Sequence, residues 1–214
     1  MATLSSNSIF GSISGKVGDV VYSSWKGIPC VRKRPVRVSN PKTAAQLDQR
    51  AKFTAIINFL KPLTPFLRIG FKSKNAKMSA HNAAMSYNLA NAIVGSYPDY
   101  AIDYSKALIS RGNNSEALKP AILSNKSGEI EFTWAYNPRN YNAYSDDKAV
   151  LVIYNSTKQE VITAMDGNRR IDGSQTITLP ECFAGDEVHC YISFQDYKQK
   201  VISNSLYVGR LILT

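Results

Sequence analysis

A chain of 214 residues with 44% hydrophobic and 20% charged residues can bury one large core or two small ones, which excludes an intrinsically disordered protein. Its net charge of +10 is unevenly spread: residues 16–77 hold fourteen Lys and Arg against two acids, Asp19 and Asp48, a local +12. Such an excess attracts polyanions or acidic protein surfaces, and without an apolar run of about 18 residues the sequence predicts no membrane insertion.

The first residues, Met1 to Phe10, lack the basic start and apolar stretch of a secretory signal. The expected location is cytoplasmic at synthesis, with a released particle or a signal-free route as the way out. Three cysteines, Cys30, Cys182 and Cys190, are an odd number without metal-ligand spacing and read as packed thiols.

Glycines punctuate the first forty residues at Gly11, Gly15, Gly18 and Gly27. Asp19–Trp25 is β-branched and aromatic, and Ile28–Arg34 reads as its hairpin partner across Lys26-Gly27. Pro29 has no amide to donate, which assigns the second arm to a sheet edge.

A capping box follows, with Thr43 at the helix start and Gln46 three residues on. This helix is expected to run to about Leu60 and stop at Lys61-Pro62. Phe53, Ile56, Ile57 and Leu60 form its apolar stripe, and Pro62–Phe71 reads as a separate short helical piece. Ser79 caps a second helix expected through Ile93, with Met85, Leu89, Ala92 and Ile93 on one face and Gly95 as its stop.

Beyond residue 118 the period changes to that of strands. Pro120–Leu123, Glu129–Trp134, Ala149–Tyr154, Glu160–Ala164, Ser174–Leu179, Glu187–Phe194 and Val201–Leu213 are expected strands separated by Gly, Asn and Asp. The fold class is therefore α+β: a basic hairpin-and-helix module over 1–118, then an immunoglobulin- or fibronectin type III-like β-sandwich over 119–214. Val150–Tyr154, the most apolar strand, is expected at the centre and Trp134 in the core. Val188 stands where the fibronectin pattern has its corner tyrosine.

No convergent set of acid, base or metal ligands is visible, so the sequence predicts no enzyme, cofactor or metal site. His81 and His189 lack neighbouring ligands, and Gly11-Ser-Ile-Ser-Gly15 places Ile13 where a nucleophile elbow needs Ser. Asp146-Asp147 and Asp186-Glu187 read as solvated turn acids.

Several motifs form a specific set: Gly15-Lys-Val-Gly18, Trp25-Lys-Gly27, Val31-Arg32, Asn40-Pro-Lys-Thr43, Gln46 and Arg50-Ala-Lys-Phe53, continued by Met78–Asn88 and Ser110-Arg-Gly112. Together they resemble an uncharacterised family of Bacteroidota proteins known only as a domain of unknown function, over the whole chain. The shorter N-P-x-T-x-x-Q-x-x-x-R-x-x-F motif is similar to one in small phage and prophage proteins. That resemblance implies a particle or filament component.

Three functions remain open on the sequence. The first is a non-enzymatic assembly protein, docking through Arg32, Lys33, Arg34 and Arg37 head-to-tail on its own copies, or on another protein. An acidic face with Asp146, Asp147, Asp186 and Glu187 is the expected counterpart, because the cations repel their own kind. The second is nucleic-acid binding through Arg32, Lys33, Arg34, Arg37, Lys42, Arg50 and Lys52. The third is glycan or protein recognition by the loop carrying Tyr136, Tyr141 and Tyr144.

Overall fold

The computed structural model describes residues 2–3, 14–25, 27–37, 40–72, 78–126, 128–198 and 201–213. The expected turn residue Lys26 lies outside them. The chain opens with β1 (Ala2–Thr3), β2 (Gly15–Val17), β3 (Val20–Trp25) and β4 (Ile28–Lys33). These form one antiparallel sheet in the order β1-β4-β3-β2. The hairpin is as expected, but its second arm is not an edge strand. Ala2 and Thr3 pair with Val31 and Cys30, so β4 lies inside the sheet. None of the described side chains between residues 14 and 37 is buried.

Helix α1 (Ala44–Gly70) begins where the Thr43 hydroxyl accepts the Gln46 amide. It does not stop at Pro62 but continues through Pro62 and Pro65. Each proline removes an amide donor, at about 3 kcal/mol in a helix interior. The carbonyl of Lys61, which Pro65 cannot reach with an N–H, instead accepts the Thr64 hydroxyl at 2.8 Å. Burial of Leu60, Leu63, Phe66 and Leu67 on both sides of the prolines supplies the offsetting stabilisation. The apolar stripe is rotated from the expected one: Ile56, Phe59 and Leu60 are buried, while Phe53 and Ile57 face outward.

Helix α2 (Ala80–Asn91), capped by the Ser79 hydroxyl, ends two residues before Ile93. There the chain turns into the hairpin of β5 (Ile93–Ser96) and β6 (Asp99–Ile102), around a cis Tyr97-Pro98 bond. Gly95 belongs to this hairpin and is not the helix stop. The rest is β: β7 (Leu118–Lys126), β8 (Glu129–Ala135), β9 (Lys148–Asn155), β10 (Glu160–Ala164), β11 (Ser174–Thr178), β12 (Glu187–Gln195) and β13 (Leu206–Ile212). They form two antiparallel sheets, β10-β9-β12-β13 and β11-β8-β7. The last expected strand is shorter than its hydrophobic run because Ile202 and Ser203 form isolated bridges instead.

Strand β9 is central, as its composition demanded, and is apolar on both faces. Ala149, Leu151 and Ile153 join a cluster with Ile130, Phe132 and Trp134 of the other sheet. Val150, Val152 and Tyr154 join a second cluster with Ile56, Phe59, Leu60 and Leu63 of α1. The alternation of a strand thus places α1 and the β7-β8-β11 sheet on opposite faces of one sheet. The second cluster spans residues on either side of position 118.

Candidate functional site

The seven basic candidates do not share one surface. Arg32 and Lys33 are successive residues of β4, opposite Val21 and Val20, so their side chains leave opposite faces of the sheet. Arg34, Arg37 and Lys42 are exposed on the connection to α1. Arg50 is engaged within the chain, donating to the Asn40 side chain at 2.5 Å. Lys52 pairs with Asp48 at 2.8 Å and lies 5.1 Å from the centre of the Tyr100 ring. Tyr100 in turn donates its hydroxyl to Asp48. Arg50 and Lys52 therefore pin the entry of α1 and tie it to β6.

The expected acidic counterpart is also internally matched. Asp147 is no solvated turn acid: it is fully buried, with Oδ2 3.1 Å from Nε of the equally buried Arg170. Burial pushes its carboxyl above the ordinary range against the pull of Arg170. Asp186 pairs with Lys158 at 2.7 Å and accepts the Asn155 amide, which holds its carboxyl below the usual range. Glu187 meets Arg210 at 3.4 Å, and Asp146 lies 3.9 Å from Arg169. Each of the four acids thus has a cation of its own chain within 3.9 Å, with Asp147 fully buried and Asp146 still 64% exposed.

The tyrosine loop separates its three members. Tyr136 is half-buried beside Arg170, Tyr141 is 89% exposed, and Tyr144 is 63% exposed at the mouth of a cleft of about 1040 Å³. The Tyr144 amide donates to Asp147 Oδ2 at 3.1 Å, so the buried acid positions the loop. Arg170 donates to the carbonyls of Ser115 and Glu116, at 2.7 and 3.2 Å, and holds the facing loop against the same pair.

One wall of this cleft is the C-terminal end of α1, with Arg68 and Lys72; the other carries Arg111, Asn113, Asn142 and Tyr144. The Arg111 amide donates to the Gly70 carbonyl at 2.7 Å, which fixes the two walls together. The floor is rigid. Gly112 meets the chain so closely that a Cβ there would sit 1.9 Å from the Ile202 carbonyl oxygen. Ser110 donates its hydroxyl to the Ser203 carbonyl at 3.0 Å, and the Ser205 hydroxyl accepts the Ile109 amide at 2.9 Å. Among the described residues, no carboxylate lies within ion-pairing distance of Arg68, Lys72 or Arg111. Sequence reasoning counted Arg68 and Lys72 in the basic excess but missed the cleft, since its walls come from segments distant in the chain, Arg68 to Lys72 on one side and Arg111 to Tyr144 on the other.

Among the described residues no group of three or more His, Cys, Asp or Glu side chains is placed to hold a metal ion, and no helix is long and apolar enough to cross a membrane. Cys30, Cys182 and Cys190 are free thiols, and burial pushes that of Cys190 up to about 12.

A mixed α/β protein with a basic, unburied sheet at its front and a cationic cleft beside its tyrosine loop is the class these observations define. Residues 12–209 match the model of a family of unknown function, DUF6266, and the chain belongs to that family. No curated protein matches it. Among solved structures it is similar to the twitchin kinase region from C. elegans (Fn31-NL-kin-CRD-Ig26), at 10% identity and a TM-score of 0.36. That match covers 48% of this chain and 17% of the twitchin chain.

Proposed function

We propose that this protein is a non-enzymatic structural subunit of a larger particle or filament, docking through the sheet β1-β4-β3-β2. One observation carries the reading: a four-stranded sheet in which no described side chain is buried. Small sheets reach stability by covering an apolar face. This one instead leaves Val17 exposed, together with the cations Arg32 and Lys33, and the connection just after it carries the exposed Val36, Arg34 and Arg37. A neighbouring subunit would bury the apolar side chains and receive the charges.

In the same reading the seven strands after residue 118 form an immunoglobulin/fibronectin type III-like sandwich displayed beside the docking sheet. Lettered in chain order with β10 as C′, the sheets read A-B-E and C′-C-F-G, an order that supports it. The division at 118/119 then separates a docking module from a display module.

Light scattering after size-exclusion chromatography of the full chain, at low and high salt, tests the proposal. The parent is expected to elute as a multimer. Reversing Arg32, Arg34 and Arg37 together to Glu is expected to return it to a monomer with an unchanged melting curve. A parent that stays monomeric at every salt and concentration overturns the proposal.

A further inference from the structure

We propose that the cleft at the end of α1 binds single-stranded nucleic acid, with Arg68, Lys72 and Arg111 on phosphates and Tyr144 stacked on a base. This goes beyond the docking reading and does not rest on it, because the cleft and the basic sheet use different residues.

Charge is the first argument. Several cations of the strand region are neutralised at home: Lys148 by Asp166, Lys158 by Asp186, Arg170 by Asp147 and Arg210 by Glu187. The three cleft cations have no such partner among the described residues, and they converge from two segments joined at Gly70 and Arg111; one carboxylate, Asp196, lines the same cleft, so three cations stand against one acid. Converging cations in excess of the acids around them raise the local anion concentration and are relieved by phosphate.

Shape and chemistry select among polyanions. A cleft of about 1040 Å³ is of small-ligand size, which suits an unpaired base with its phosphates. Tyr144 offers an exposed ring whose loop is already held by Asp147, so stacking needs little further ordering. The amide side chains of Asn113 and Asn142 line the same cleft and supply donors and acceptors for base or sugar edges. A cationic track with an aromatic platform is the arrangement that binds single strands with little regard to sequence. An acidic peptide would use the cations but leave the ring without a planar partner.

The experiment is fluorescence anisotropy of a labelled oligothymidylate against the full chain over a salt series. Converting Arg68, Lys72 and Arg111 together to Gln is expected to reduce the slope of log affinity against log salt by about two, at about 0.7 per phosphate contact. Tyr144→Leu is expected to weaken binding about tenfold at every salt without changing the slope. Both variants are expected to melt like the parent, because all four side chains are exposed. In the background of Arg32, Arg34 and Arg37 all changed to Glu, the Tyr144 effect should persist. Absence of binding, indifference to Tyr144→Leu, equal affinity for a duplex, or loss only in the sheet variant overturns the proposal. Stronger binding of heparin or polyglutamate than of the oligonucleotide overturns it as well.

Discussion

The guanidinium of Arg170 lies 3.1 Å from the carboxylate of Asp147, with both side chains withdrawn from water and the Phe194 ring centred 3.8 Å from the guanidinium carbon. Twenty-three positions separate the two residues in the chain, and the pair joins three loops. Asp147 accepts the Tyr144 amide, Arg170 donates to Ser115 and Glu116, and the Arg170 carbonyl accepts the Trp134 indole N–H at 2.8 Å.

Removing one partner strands a buried charge. Arg170→Met is therefore expected to destabilise the protein by about 3–5 kcal/mol, whereas combining it with Asp147→Leu should recover much of that loss. Urea denaturation of the two single variants and the double variant gives the coupling energy. Additive losses would show that the pair does not act as a unit.

His189 provides a pH response. Its ring stacks on Tyr104 with centroids 3.6 Å apart, Nδ1 is 3.2 Å from the Tyr207 hydroxyl, and Nε2 is 3.2 Å from Glu187. Burial holds the imidazole below its ordinary 6.5, although Glu187 pulls upward; Arg210 adds to the lowering. The unfolded chain thus binds this proton more tightly than the folded one. Stability is complete above 6.5 and falls as pH drops through that value toward the folded pKa. The depressed carboxylates, such as Asp186, lose their contribution only near and below 3.8, so the two windows are distinct. Melting temperatures measured across the upper window should decline in the parent and stay flatter in His189→Gln.

Gly112→Ala is expected to destabilise by about 1–3 kcal/mol, the usual cost of forcing atoms into a packed site. The obstacle is the Ile202 backbone, which cannot turn aside as a long side chain would. Hydrogen exchange should then quicken at Arg111 and Ser205, whose amides cross the cleft floor to Gly70 and Ser110. Unchanged stability and exchange would mean that the floor yields freely.

An excised fragment of residues 119–214 keeps the cluster around Phe132, Leu151 and Phe194 but uncovers Val150, Val152, Tyr154 and Tyr191. If the 118/119 division separates folding units, the fragment melts cooperatively. Its midpoint should lie below that of the full chain, and it should associate through the uncovered face. Circular dichroism and light scattering on the fragment report both.

Local chemistry determined much of this protein. The Thr43 and Ser79 caps, the hairpin between Val20 and Lys33, and the strands from Glu129 onward follow from propensity and from alternation, which act between near neighbours. The apolar run of Val150–Tyr154 already pointed to a central strand.

What the tertiary structure decided depends on residues that are distant in the chain. Pro62 and Pro65 stay in a helix because α1 buries Leu60, Leu63, Phe66 and Leu67 against the sheet and Thr64 takes up a freed carbonyl. Asp147 looked like a turn acid because nothing near it shows that Arg170 will desolvate and neutralise it. The cleft is a third case: Arg68 and Lys72 meet Arg111 and Tyr144 only once the Gly70 carbonyl accepts the Arg111 amide and Gly112 packs on Ile202. Burial and charge pairing between distant segments have no periodic signature, so they appear only when the chain has folded.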